Sequence, residues 1–461
     1  MALEYDVAII GGGPGGYTTA IRAAQLGLKT VVVERDEVGG VCLNWGCIPS
    51  KALLRNAEVL NLFHDAERYG ISYEHLQYDM GKAIDRSRKV VDRMVNGVKF
   101  LFKKNKIDLV QGAARLTEPG RIAVDSSGET ITAKNTIIAT GARSRDLPML
   151  KSDGESIITS REALELREPP GSVVIIGGGA VGIEFAYFWR AYRSEVTIVE
   201  MLPHLAPNED EEISQQLERV LSRQGIKFMA GTAVESVERR NGKLALTLGG
   251  AGEEGPVEAD KVLLGVGVEP NSSEIGLEQL GVATAKGFIS IDDGMATNVP
   301  GVYAIGDVTG KLLLAHVASA QGIIAAEAIA GREPAPLVYQ DLPRATYSQP
   351  QIASMGLTEA QAKERGFDVK IGRFPFKASG KAVALGAEEG LVKIVADAAY
   401  GEILGAHILG HDATELLAEV SLTRMLEGTA MDIGRTVHPH PSMSEALMEA
   451  GLGVFGESIN I

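Results

Sequence analysis

Cys42 and Cys47 are the only cysteines in the 461-residue chain, five positions apart in Gly39-Gly40-Val41-Cys42-Leu43-Asn44-Trp45-Gly46-Cys47-Ile48-Pro49-Ser50-Lys51. Closing so short a loop removes little entropy from an unfolded chain, so a bond between them would be a poor structural staple. A reactive pair that cycles between dithiol and disulfide fits better; two buried thiols or half of a metal site are the alternatives. On an ideal helix, residues five apart have Cα atoms roughly 8.5 Å distant, beyond disulfide reach, so this segment must be distorted or loosely wound. Strain of that kind makes a disulfide easier to reduce. A dithiol that attacks or is oxidised also needs a base to deprotonate it. Histidine with a carboxylate nearby occurs far down the chain, in His438-Pro439-His440-Pro441-Ser442-Met443-Ser444-Glu445. The same run has a structural reading, because Ser442 with Glu445 three residues on spells a capping box opening a helix through Leu447. Glu445 can serve both readings if its backbone starts the helix while its carboxylate turns inward.

The elements that must position the cysteines stand just before them. Tyr5 to Ile10 reads as a buried parallel strand, followed at once by Gly11-Gly12-Gly13-Pro14-Gly15-Gly16 and an apolar helical pattern from Tyr17 to Leu26. A second strand, Thr30 to Val33, ends at Glu34, whose carboxylate can accept hydrogen bonds from ribose hydroxyls. Gly11, Gly13 and Gly16 let the backbone approach a pyrophosphate that the helix N-terminus receives. The device recurs: Val173 to Ile176, the glycines Gly177, Gly179 and Gly182, a helix from Ile183, and Val196 to Val199 closing at Glu200. In both copies the acid follows the first glycine by 23 residues. Two such copies imply two bound dinucleotides. Glu200 would repel a 2′-phosphate and no Lys or Arg lies between Val199 and His204, which favours NAD over NADP at the second.

Composition sets the outer bounds. With 45% hydrophobic and 23% charged residues the chain is an ordinary globular protein of about three domains. A net charge of −15 disfavours a nucleic-acid partner and suits a basic protein one. No apolar run reaches the roughly 18 residues of a membrane span. The first strand begins at Tyr5, which leaves no room for a targeting peptide and makes a cytoplasmic location the expectation.

Taken together, the cysteine run, the doubled fingerprint and the histidine run resemble the flavoprotein disulfide reductases. Within them, the chain is most similar to the branch that reoxidises protein-bound dihydrolipoamide in 2-oxo acid dehydrogenase complexes. The resemblance implies an α/β chain with two Rossmann-like dinucleotide-binding domains plus a central region and a C-terminal α+β interface domain. The implied boundaries are 1–146 for FAD, 147–266 for NAD, 267–340 for a central domain completing the FAD site, and 341–461 for dimerisation. Strand-like runs at Lys370 to Phe376, Leu391 to Ala396 and Ile403 to Leu409, then a helix from Ala413, suit that last domain. By similarity, Asp307 at the end of Val302-Tyr303-Ala304-Ile305-Gly306-Asp307 bonds the ribityl chain of FAD. Ala139-Thr140-Gly141 resembles the crossover out of the FAD domain, Ala315 and His316 lie beside the flavin, and Gly267 belongs to the nicotinamide site.

The resemblance also implies a route. Dihydrolipoamide enters near a dimer seam, and His440, oriented by Glu445 and supplied by the partner subunit, takes a thiol proton as the substrate attacks Cys42. Cys47, nearer the flavin, passes electrons on; Lys51 stabilises charge there with Glu184 as its ion-pair partner, and hydride reaches NAD on the other ring face. His438 matches no family role and is taken as structural, and the His440–Pro441 bond is expected to be cis. A homodimer, a lipoyl domain and the acyltransferase subunit are the implied partners. Three departures stand out: Val41 for a threonine, Trp45 for a small aliphatic, and Val268 for an arginine after Gly267. A glutathione reductase-like enzyme would want NADPH-binding arginines after Glu200. Mercuric ion and high-molecular-weight thioredoxin reductases would want a further cysteine pair near the C-terminus. From a different class, a non-catalytic flavoprotein scaffold or NADH sensor would have no need of His440 beside Glu445.

Overall fold

The computed structural model describes residues 3–125, 128–250 and 256–461. They fall into two compact units, one drawn from the described residues of 3–52, 84–145 and 267–339 and the other from those of 53–83, 146–266 and 340–461.

In the first unit, strand Leu3–Ile10 lies at the centre of a sheet, flanked in parallel by Thr30–Glu34 and Thr130–Ile138. Asp108–Gln111 extends the sheet on one side and Val302–Ala304 pairs with Thr130–Ile138 on the other, both parallel. Val7 to Ile10 and Val31 to Val33 are buried on both faces and so read as continuous Val, Ile and Ala runs, whereas Thr130–Ile138 alternates over its first half and is fully buried only from Thr136. The helix after the glycine turn runs Pro14–Gln25, three residues earlier than the apolar pattern suggests. Pro14 is the cause: it sits in the first turn, where its missing N–H costs nothing and its fixed φ is already helical.

The second unit repeats this plan. Ser172–Ile176 is flanked in parallel by Glu195–Val199 and Lys261–Leu264, with Lys227–Met229 and Ile157–Ile158 outside them. It also carries a five-stranded antiparallel sheet, in the order Arg344–Thr346, Gln351–Gly356, Ile403–Gly410, Leu391–Asp397, Val369–Pro375. Helices Ala413–Met425, Ala430–Arg435 and Glu445–Gly453 contribute to the core of that sheet.

One row of this antiparallel sheet is polar from edge to edge. Arg344, Ser354, His407, Lys393 and Arg373 are successive cross-strand partners. The row meets the acidic entrance of helix Glu211–Arg223. Lys393 Nζ lies 2.8 Å from Asp210, 3.1 Å from Glu212 and 2.8 Å from Glu359, and Arg373 Nε lies 2.9 Å from Glu212. Asp210 caps the helix by accepting from Glu212 N–H at 3.1 Å. Lys393 and Asp210 are each only 3% exposed, so neither charge could remain there without the other. Burial opposes the charged forms, yet the surrounding partners hold Asp210 and Glu359 below the usual carboxylate range, Glu359 at about 2.

Candidate active site

Between the cysteines the helix breaks. Cys42 lies in Gly40–Trp45, Cys47 opens Cys47–His64, and Gly46 interrupts them at φ −144° and ψ −113°. This is the distortion that the five-residue spacing demands, and it brings the two side chains into hydrogen-bond contact. That hydrogen bond with Cys47, then burial, push the Cys42 thiol well above its ordinary range, against the pull of the Lys51 ammonium.

Several groups fix this short segment. Asn44 Nδ2 donates to the carbonyls of Val38 and Gly40 at 3.1 and 3.0 Å. From helix Met80–Lys104, Arg88 Nη1 donates to Asn44 O at 2.8 Å and Ser87 Oγ to Pro49 O at 3.3 Å. Sequence reading did not find these supports. Asn44 sat in plain view inside the cysteine run, but Arg88 and Ser87 carry no local signal that their targets are carbonyls 38 and 44 residues away.

The cysteines open onto a cavity of about 580 Å³. Its wall includes Gly11, Gly13, Glu34, Cys42, Cys47, Thr140, Gly141, Asp307 and Ala315, with Val41 and Trp45 beside the cysteines. Gly16, Lys51, His316 and Gly267 do not line it. Lys51 stands one helical turn beyond Cys47, and His316 is the second residue of helix Ala315–Ile329. At the crossover, Thr140 Oγ1 donates to Asn271 O at 2.7 Å and Asn271 Nδ2 to Thr140 O at 3.0 Å, a clasp the sequence did not signal.

Glu34 accepts from Gly12 N–H at 2.7 Å through one oxygen and from Asp36 N–H at 2.8 Å through the other. Each oxygen keeps a lone pair for a ribose hydroxyl. Asp307 has no hydrogen-bond donor among the described residues, and burial alone raises its carboxyl to about 6. A partly buried carboxylate lacking a donor, on the wall of a cavity entered by a glycine-rich turn, fits the polyhydroxyl chain of a flavin dinucleotide.

The second unit holds a matching cradle. Glu200 accepts from Gly178 N–H at 2.6 Å and from Leu202 N–H at 2.8 Å. Gly179 caps the helix Ala180–Ala191, in which Gly182 is buried; Glu184 on that helix accepts from Tyr347 N–H at 2.9 Å.

The histidine run lies in the second unit. His440 Nδ1 pairs with Glu445 Oε1 at 2.8 Å, while Glu445 Oε2 accepts from Ser442 N–H at 2.8 Å. Burial works against the Glu445 carboxylate, but Ser442 and His440 outweigh it and hold the group below its ordinary range. The His440–Pro441 bond is cis. The capping box at Ser442 is not formed. Helix Glu445–Gly453 starts after Ser444, whose side chain gives the helix no cap hydrogen bond and pairs with the Ser442 hydroxyl at 2.9 Å instead. His438 is tied to Glu419 at 2.8 Å and to Thr436 O at 2.8 Å.

Strand, glycine turn, acid, and paired thiols on one cavity wall define a dinucleotide-dependent disulfide oxidoreductase. The chain belongs to the pyridine nucleotide-disulphide oxidoreductases, whose family model matches residues 5–322 and whose dimerisation domain matches residues 342–451. FAD and NAD are the cofactors of this family. Among its relatives, the dihydrolipoyl dehydrogenase of Mycobacterium leprae is 49% identical over 99% of each chain, and that of Bacillus subtilis 44% identical over 100% of each. Among solved structures, LpdA from Mycobacterium tuberculosis matches with a TM-score of 0.90 at 25% identity, covering 98% of this chain and 99% of that one. The HOCl-induced flavoprotein disulfide reductase RclA from Escherichia coli matches with a TM-score of 0.86 at 26% identity, covering 96% and 98%.

Proposed function

We propose that this chain is a homodimeric, NAD-dependent oxidase of dihydrolipoamide carried on a lipoyl domain, working with the acyltransferase subunit of a 2-oxo acid dehydrogenase complex in the cytoplasm. The observation that carries the reading is the contact between Cys42 and Cys47 on the wall of the first dinucleotide cavity. The near-full-length identity to dihydrolipoyl dehydrogenases supports the choice of substrate.

His440 is the base. Its Nδ1 is occupied by Glu445, which leaves Nε2 to take the proton of a substrate thiol. The resulting thiolate attacks Cys42, breaking the Cys42–Cys47 bond and releasing Cys47 as a thiolate. The second substrate thiol then displaces Cys42, forming lipoamide and passing its proton to the departing Cys42 sulfur, while the first proton stays on His440 opposite the Cys47 thiolate. The Gly11 cradle with Glu34 would hold FAD and the Gly177 cradle with Glu200 would hold NAD, and together these groups would supply the two-electron acceptor chemistry that reoxidises the dithiol. Lys51, one turn beyond Cys47, supplies positive charge to the cysteine end of the site. Glu200 selects NAD by closing the ribose pocket with negative charge.

Anaerobic titration of the purified protein with dihydrolipoamide tests this. A long-wavelength absorption from a thiolate against oxidised flavin is expected, followed by NADH on adding NAD. A flavin that bleaches without that band, and no NADH, would remove the assignment.

A further inference from the structure

The segment that carries His440 is poorly secured by its own backbone. Residues 437–441 lie in neither helix nor strand and make no backbone–backbone hydrogen bond among the described residues. Pro439 and Pro441 have no N–H to give. Val437 is 93% exposed and anchors nothing. Side chains must do the holding. Among the described residues, His440, itself 80% exposed, is tied only to Glu445 at its Nδ1.

His438 is the opposite kind of residue. Its side chain is 4% exposed, and both ring nitrogens are engaged, Nε2 with Glu419 Oε1 at 2.8 Å and Nδ1 with Thr436 O at 2.8 Å. Glu419 and Thr436 grip the ring from both of its nitrogens. Glu419 lies on helix Ala413–Met425, and Thr436 closes helix Ala430–Arg435 with its own hydroxyl on Asp432 O at 2.8 Å. His438 thus ties the loop to two helices at a point two residues before His440. It also stands close enough to Glu445 to influence that carboxylate.

We propose that His438, anchored by Glu419, is a positioning residue for dihydrolipoamide oxidation: it fixes the loop that aims His440 and is not itself a proton carrier. The inference rests on His440 being the base. Displacing a base by a fraction of a bond length lowers turnover far more than binding.

The test uses the FAD-loaded dimer and four single variants: His438→Ala, His438→Gln, Glu419→Gln and His440→Gln. Two turnovers are followed, dihydrolipoamide with NAD and NADH with ferricyanide, the second of which needs no thiol proton transfer. His438→Ala is expected to lower kcat for dihydrolipoamide by about tenfold or more, with KM and ferricyanide turnover within about twofold. His438→Gln keeps an N–H for Glu419 and is expected to recover several-fold of that loss, while Glu419→Gln gives a smaller loss in the same direction. Adding Glu419→Gln to His438→Ala should cost nothing further, since the contact is already gone. If His438→Ala folds poorly, His438→Gln and Glu419→Gln decide: losses shared equally by the ferricyanide reaction overturn the positioning role. A His438→Ala enzyme with unchanged kcat beside a crippled His440→Gln enzyme also overturns it, while leaving the base assignment in place. Full activity in His440→Gln overturns the base assignment itself.

Discussion

The two glycine turns of this chain share their local geometry almost atom for atom. Gly11 and Gly177 have φ of +107° and +110°, and a Cβ on either would stand 2.3 Å from a carbonyl oxygen, that of Ala139 or Gly265. In each, the acid at the end of the second strand accepts from the N–H one residue after that glycine and from the N–H two residues after itself. The turns part company after the acid. Beyond Glu34 the chain enters the broken helix with Cys42 and Cys47; beyond Glu200 it passes through buried Asp210 into a helix locked to the antiparallel sheet. The nucleotide cradle is thus a fixed part, and the connection that follows decides what each copy does. In the first it carries redox chemistry, and in the second it fastens the cradle down.

The sharpest way to break this division of labour is at the sulfur. Cys42→Ser should cut dihydrolipoamide turnover by about 10³-fold or more while FAD content stays full, because it removes a covalent step and leaves the cradle intact. Steady-state kinetics and the flavin spectrum check it together. On the other side, Lys393→Ala leaves Asp210 buried without its cation and should cost about 3–5 kcal/mol, read in thermal or urea unfolding. The carboxylates around Lys393 lie below their unfolded values of 3.8 for Asp210 and 4.5 for Glu359. Their stabilisation is therefore present above those values and lost as pH falls toward about 2. Lys393→Ala should flatten this acid-induced loss. Smaller effects separate the cradles themselves. Alanine at Gly11 or Gly177 carries a positive-φ penalty of about 1–3 kcal/mol before any clash is relieved. Gly11→Ala should shed FAD on gel filtration, whereas Gly177→Ala should keep FAD and weaken NADH binding.

Both cradles, the cysteine pair and the His440–Glu445 pair could be read in the sequence because each is local: strand, turn, helix and acid lie within about 30 residues, and the histidine and its carboxylate within five. The helix break between the cysteines was legible too, since five-residue spacing on an intact helix forbids contact. What stayed hidden was assembled from distant segments. Lys393 and His407 look like single polar faults in apolar strands, and only strand register makes them neighbours in one row. Glu419 and His438 are 19 residues apart with a helix end between them, so nothing local marks the pair. The capping box at Ser442 was legible and wrong. Its carboxylate does reach Ser442 N–H, but the helix starts only after Ser444.

The mildest expected effect concerns a group that completes the first cradle from far away. Asp307 follows strand Val302–Ala304, which adds to the first sheet beside Thr130–Ile138 and brings the carboxylate to the cavity. In apoprotein its carboxyl is raised from 3.8 to about 6, so the folded state keeps a proton that the unfolded chain releases. Apoprotein stability must then fall as pH rises through that window and remain lower above it, by at most roughly 3 kcal/mol. Asp307→Asn removes the penalty. The variant apoprotein should melt higher than the parent at pH 8 and the same at pH 4. With FAD the variant's advantage at pH 8 should shrink, because a charged acceptor of ribityl hydroxyls is worth about 1.5–3 kcal/mol and a neutral amide less. An advantage that FAD leaves undiminished would mean that the carboxylate does not face the cofactor. The first cradle would then end where the second does, at its glycines and its acid.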